Sequence, residues 1–198
     1  MIDKRLYLLD FDGTLTKKDT LFIFMKYFGG LYKFLIITFL FSPLFALVKI
    51  GILKASKIKL MYINAFLKKR SVKTTKNKLQ QVDFKDILFK EAYLFLEDIC
   101  SSPVNDVYIV SASLELWLQP MTIIFPNLKI IGTKYEQLNG IFQGSFNTPN
   151  CNGIEKVVRI NESINLDKYS EIHVYGNSSG DKPMMKLGTH SKYKYFNN

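Results

Sequence analysis

Cysteine, histidine and tryptophan are scarce in this chain, with two, two and one among 198 residues. Cys100 and Cys151 make neither a metal-ligand spacing nor a disulfide framework, which excludes a zinc ribbon and a cysteine-stapled fold and makes a reducing cytoplasm the expected compartment. His173 and His190 have no obvious catalytic partner in the sequence, so histidine-based chemistry is not expected, and Trp117 is expected in the core. The opening run MIDKRLYLLDFDGT lacks a long apolar region followed by a small-residue cleavage site, so no signal peptide is expected. Internal repeats and low-complexity tracts are also missing. With 47% hydrophobic and 22% charged residues, the composition excludes disorder and suits a cored domain with room for a smaller inserted one.

Acids are lacking in one place above all. Residues 17–90 carry 16 lysines and arginines against only Asp19, Asp83 and Asp86, a net charge of +13. The remainder carries 11 basic and 14 acidic residues, net −3. Such an asymmetry points the basic segment at an anion: a phosphorylated substrate, an anionic membrane or a nucleic acid.

Leu6 to Leu9 reads as a buried parallel strand that stops at Asp10. From Thr20 to about Lys90 the pattern is helical, and a further helix spans Ile87 to Ile99 up to Ser101-Ser102-Pro103. Val107 to Val110 reads as a second strand stopping at Ser111. Leu114 to Phe125 follows as a helix that Pro120 kinks or divides. Leu128 to Ile131 is a third strand, and Asn139-Gly140 marks a hairpin within 133–146. Helices are expected from Gly153 to Ile160 and from Lys182 onward, with a strand at Ile172 to Tyr175 between them. This alternation predicts an α/β fold with a mostly parallel sheet and helices on both faces. Ligands bind beyond the carboxyl ends of such strands, where Asp10, Ser111 and the 176–181 loop all fall.

Asp10-Phe11-Asp12-Gly13-Thr14 follows directly on the first strand. Two carboxylates two residues apart in a turn can both face one small site, and Gly13 permits close backbone approach. The pair suits nucleophilic attack plus general acid–base work, with a cation to hold the charges together. A bare Asp-x-Asp-Gly is more often a solvated turn, and a calcium EF-hand is excluded because its glycine belongs at loop position six.

Taken with its context, LYLLDFDGTLT resembles the first motif of the haloacid dehalogenase superfamily. Ser111 matches the second-motif hydroxyl, Lys156 in NGIEK the third-motif lysine, and Tyr175 to Asp181 (YGNSSGD) the fourth motif. The resemblance spans essentially the whole chain and is nearest the phosphoserine-phosphatase-like branch. It implies a Rossmann-like three-layer core from 1–16 and 91–198, with an inserted helical cap at 17–90. It further implies that Asp10 is the nucleophile and Asp12 the acid–base, an acid that dehalogenases lack. Ser111 and Lys156 would bind and neutralise the phosphoryl group, with Phe11 and Ala112 also in the substrate site. Mg²⁺ would be held by Asp10, the Asp12 carbonyl, Asn177 and Asp181. Asn177 departs from the pattern, since an aspartate is usual there and an amide oxygen brings no charge. Ser113 could be a second phosphate donor, but an N-cap for the following helix is the expected role.

Between Lys33 and Lys49 lie 15 uncharged residues, FLIITFLFSPLFALV, of which 12 are hydrophobic. A helix of that length spans about 22 Å, short of the roughly 30 Å hydrocarbon core, and Ser42-Pro43 is expected to kink it. Crossing a membrane would require extension to Leu53 past Lys49 and Gly51. A buried cap helix and a membrane-dipping surface flanked by Lys49, Lys54, Lys57 and Lys59 both stay open. The activity expected is Mg²⁺-dependent hydrolysis of a small-molecule or lipid phosphate monoester in the cytoplasm, with the inner face of the membrane as the alternative site. The alternatives are a phosphotransferase using the same aspartyl-phosphate and a membrane-surface binding module on a phosphatase fold. Nucleic acid is not an expected partner, because the cap aromatics sit in apolar runs.

Overall fold

The computed structural model describes residues 4–196. Along the chain run β1 (Arg5–Leu9), α1 (Thr20–Lys49), α2 (Ala55–Leu67), α3 (Val72–Leu79), α4 (Phe84–Ile87) and α5 (Lys90–Ser101). Then come β2 (Asn105–Leu114), α6 (Glu115–Leu118), α7 (Met121–Ile124), β3 (Leu128–Thr133), β4 (Tyr135–Leu138) and β5 (Ile141–Phe146). The chain closes with α8 (Ile154–Ser163), β6 (Glu171–Gly176), α9 (Lys182–Met185) and β7 (His190–Tyr193). The ends of the expected core segments, 1–3 and 197–198, lie outside the described residues.

The sheet is parallel throughout, in the order β3-β2-β1-β6-β7. β1 lies at its centre and is apolar on both faces, as a covered parallel strand must be. Tyr7 and Leu9 point into a large cluster with Ile99 of α5 and Trp117 of α6. Leu6 and Leu8 point the other way, onto Ile160 of α8 and Met184 of α9. This is a three-layer α/β/α core. The chain leaves β1 toward β2 on one side and returns to β6 on the other, so the switch in strand order falls beside β1.

Five helices lie between β1 and β2, and α1 to α4 precede α5. They share the larger apolar cluster with the sheet: Phe24 of α1 stacks on Trp117 at 5.4 Å between ring centres. The β4–β5 hairpin, turned by Asn139 and Gly140 with φ of 51° and 75°, reaches the insertion as well. Lys69 N–H donates to the Phe142 carbonyl at 2.9 Å, and Phe142 N–H to that of Arg70 at 3.1 Å.

Several expectations are corrected here. The break in the first inserted helix is at Gly30 (φ 74°), not at Pro43, which sits within α1. Proline removes the N–H that would bond the Phe39 carbonyl, and the Ser42 hydroxyl donates to that carbonyl at 2.8 Å instead. Beyond Gly30 the helix is not buried: Tyr32, Phe39 and Leu40 are 84%, 77% and 65% exposed. β2 runs past Ser111 to Leu114, so Ser113 caps no helix. Residues 114–125 form two short helices divided at Pro120, as expected, but the helix from Lys182 is a single turn followed by β7.

Candidate active site

Asp10, Asp12, Ser111, Lys156, Asn177 and Asp181 all line one cavity of about 760 Å³ between the sheet edge and the inserted helices. Each arrives on a different structural device. Asp10 is carried off the end of β1, where its N–H donates to the Tyr175 carbonyl of β6 at 2.9 Å. Its Oδ2 accepts from the Thr14 hydroxyl at 2.7 Å and its Oδ1 from Lys156 at 2.6 Å. Gly13 lets the loop pass beneath Asn177, because a Cβ there would collide with the Asn177 amide and its φ is +73°.

Lys156 lies in the first turn of α8, whose start is tied to the fourth-motif loop by Gly153 N–H donating to the Gly180 carbonyl at 3.1 Å. Its ammonium is buried between Asp10 and Asp181, 2.6 Å from each. Burial disfavours that charge, but the two carboxylates overcome it and hold the lysine above its ordinary value. Asp181 spends its other oxygen on the N–H groups of Asn177 and Ser178 and the Ser178 hydroxyl. Burial opposes its ionisation, yet Lys156 and these donors keep its carboxyl below the usual range.

Asp12 is held differently. Its Oδ1 accepts from the Thr20 N–H at 2.7 Å and hydroxyl at 2.6 Å, and its Oδ2 accepts from the Ser113 hydroxyl. No cation pairs with it at ion-pair distance among the described residues, and burial pushes its carboxyl above the usual range. Burial likewise outweighs Lys156 at Asp10. Ser111 accepts a 3.0 Å bond from the Ser113 N–H, which leaves its own proton for a ligand. Asp10 can act as nucleophile beside Asp12 as acid–base, with a hydroxyl donor and a cation at hand.

Ala112 lines the cavity, and the Phe11 side chain is fully buried, with its carbonyl accepting from Leu15 N–H at 2.9 Å. The groups missed from sequence are Thr14, Thr20 and Asn150, and Lys59, expected among the lysines facing a membrane, turns into the cavity instead. Thr14 and Thr20 sit close to the first motif, which was the one available signal. Lys59 of α2 crosses to the core, where its ammonium donates to the Ala112 carbonyl at 2.7 Å and Asn150 Oδ1 at 3.4 Å. His173 and His190 do have partners: their rings stack, and His173 Nε2 is 3.0 Å from Glu171. Arg5 pairs with that same Glu171 oxygen at 3.3 Å, which disfavours a cation there. A larger concavity of about 950 Å³, between α2 and residues 145–152, is lined by no carboxylate.

The sequence profile of the haloacid dehalogenase-like hydrolase family matches residues 7–186. No curated protein matches the chain. Among solved structures, a protein of unknown function from Bordetella pertussis Tohama I superposes with a TM-score of 0.79 at 19% identity, covering 96% of this chain and 89% of that one. A substrate-bound phosphoserine phosphatase gives 0.62 at 16% identity, with 96% and 85% covered. Cytosolic 5′-nucleotidase IIIB bound to cytidine also gives 0.62 at 16%, with 96% and 72% covered. The chain therefore belongs to the haloacid dehalogenase-like hydrolase family, and its fold is similar to that of phosphoserine phosphatases.

Proposed function

We propose that this hydrolase is a Mg²⁺-dependent phosphomonoesterase that works through an aspartyl-phosphate on Asp10, with residues 17–90 as a cap over the site. The observation that carries this reading is the convergence of Asp10, Asp12, Ser111 and Lys156 on one cavity beyond the strand ends. A carboxylate oxygen of Asp10 attacks phosphorus and the P–O ester bond breaks. The Asp12 proton passes to the departing alkoxide oxygen. Asp12, now a carboxylate, takes a proton from water, whose oxygen attacks phosphorus and breaks the P–O bond to Asp10. Orthophosphate leaves and Asp12 is again protonated. Ser111 donates to a phosphoryl oxygen, and Lys156 offsets the charge that develops there.

The residues fit Mg²⁺. The Asn177 side-chain amide lies 3.3 Å from the Asp12 carbonyl oxygen through its nitrogen, and a half-turn of the amide would set its oxygen there. With the Asp10 carboxylate this makes a set of hard oxygens suited to Mg²⁺, which when bound neutralises phosphoryl charge. Asp181 would add the remaining negative charge, as a ligand directly or through water, while it holds Lys156. Hydrolysis of an aryl phosphate should require Mg²⁺ and fall on the order of 10³-fold or more in Asp10→Asn. Comparable turnover by that variant would overturn the mechanism.

A second reading concerns location and substrate. The exposed apolar face of α1 beyond Gly30, flanked by exposed Lys33, Lys49, Lys54 and Lys57, supports docking of the cap on an anionic membrane at its cytoplasmic face. The buried, unpaired thiols of Cys100 and Cys151, pushed by burial to about 12 and about 11, suit a reducing compartment. A lipid phosphate monoester would then reach the site from the bilayer surface, while a soluble one would reach it from water.

A further inference from the structure

The concavity of about 950 Å³ between α2 and residues 145–152 has no part in the reaction proposed above. It is nevertheless joined to the site of that reaction. Ser56 of α2, Asn150 and Asn152 line both this concavity and the cavity that holds Asp10 and Asp12. A leaving group that departs along this shared wall passes from the one into the other.

Two of the polar groups in the lining are held from behind. Thr148 Oγ1 accepts from the Lys134 N–H at 3.1 Å and from the buried guanidinium of Arg159 at 3.3 Å, which leaves its own proton for a ligand. Asn150 Oδ1 accepts from Lys59 at 3.4 Å and from the Thr133 hydroxyl at 3.5 Å, so the amide is fixed by its oxygen and presents its N–H donors. Asn147 and Asn152 are exposed, and each offers donors and an acceptor on one amide. Phe146 adds an apolar surface beside them.

Such a lining suits hydroxyl groups better than charges. One amide can donate to one hydroxyl of a neighbouring pair and accept from the other, whereas a carboxylate or phosphate would use the donors alone. The cations of the lining, Lys54 and Lys57, are exposed and keep their water, and no carboxylate is there to hold an amine. The C–H faces of a sugar or polyol can pack on the Phe146 ring while its hydroxyls replace water on the amides. We propose that this concavity is the subsite for a hydroxyl-rich leaving group, so that the substrate is the phosphomonoester of a sugar or polyol. This rests on the phosphomonoesterase reading above and names the alcohol that the reaction releases.

The test compares kcat/KM, with Mg²⁺ present, for sorbitol 6-phosphate and hexyl phosphate, which share chain length and phosphate and differ in hydroxyls. The native protein should prefer sorbitol 6-phosphate by about tenfold or more, mostly through KM. Thr148→Val and Asn147→Leu each remove hydrogen-bonding capacity at similar side-chain volume, and each should cut that preference by about threefold or more. Asn147 is exposed, so its variant keeps the comparison meaningful should the loss of Thr148 disturb Arg159. Lys57→Gln, which removes a charge from the same lining but keeps a donor, should retain the preference. Hexyl phosphate used as well as sorbitol 6-phosphate, a preference that survives both Thr148→Val and Asn147→Leu, or one lost as far in Lys57→Gln overturns the proposal. Phenyl phosphate separates the two levels. If it is not hydrolysed, the phosphatase reading fails and the subsite with it; if it is hydrolysed while sorbitol 6-phosphate is used no better than hexyl phosphate, only the subsite fails.

Discussion

Asp12 is pulled in opposite directions by its surroundings. Its three hydrogen bonds, from Thr20 N–H, Thr20 Oγ1 and Ser113 Oγ, favour the carboxylate, while burial favours the neutral acid and prevails. Both forms are needed in one cycle, the acid for the leaving group and the carboxylate for water. Ser113→Ala removes one bond that lowers the Asp12 pKa, so the pKa should rise further. Both limbs of the kcat–pH profile should then move to higher pH, with kcat reduced by roughly tenfold as the acid is less well aligned. A profile that stays in place, or moves to lower pH, would show that Ser113 does not tune Asp12. The first-motif acids stood out in the sequence because they end an apolar strand and, with three later motifs in order, resemble the family's pattern. The role of Ser113 was not, since its contact with Asp12 spans 101 residues and serines are common at helix starts.

At the scale of elements, α1 beyond Gly30 is apolar on both sides. Phe41 and Phe45 face inward onto Tyr62 of α2, with ring centres 5.3 Å away in each case. Tyr32, Ile36, Phe39, Pro43, Ala46 and Ile50 recur at helical spacing and are exposed. A stripe of this kind rimmed by lysines marks an interaction surface. The protein should sediment with vesicles containing phosphatidylglycerol at low salt and far less with pure phosphatidylcholine. The double variant Ile36→Glu/Phe39→Glu, both at exposed positions, should bind those vesicles at least tenfold more weakly. Undiminished binding would remove the stripe from consideration. The sequence pattern located the apolar run and its length but not its exposure, because an all-apolar helix looks the same buried or bare. It also misplaced the break: proline is the usual helix breaker, but the neighbouring Ser42 hydroxyl satisfies the carbonyl that Pro43 orphans. β7 was missed for a related reason, as its four residues are exposed and polar on the sheet edge and carry no apolar signal.

Across the whole molecule, the inserted helices and the parallel sheet divide more cleanly in sequence than in space. Phe24, Phe28, Tyr62 and Phe66 of the insertion belong to the same apolar cluster as Tyr7, Leu9 and Val107 of the sheet. Trp117 is fully buried at this junction, stacked on Phe24, and the β4–β5 hairpin adds backbone bonds from the core to residues 69–72. A cap that could unfold alone would open a continuous core, which costs on the scale of a domain's whole stability. Cap and core should therefore unfold in one transition. Trp117 is the sole tryptophan, so its fluorescence reports the junction while far-UV circular dichroism reports helices everywhere. The two signals should give the same urea midpoint and the same slope. Met121→Ala, at a buried position in that cluster, should lower the midpoint of both together, for a loss of about 2–5 kcal/mol. Helical signal lost well before the fluorescence change would mean that the insertion melts independently, and residues 17–90 would then be a separate folding unit.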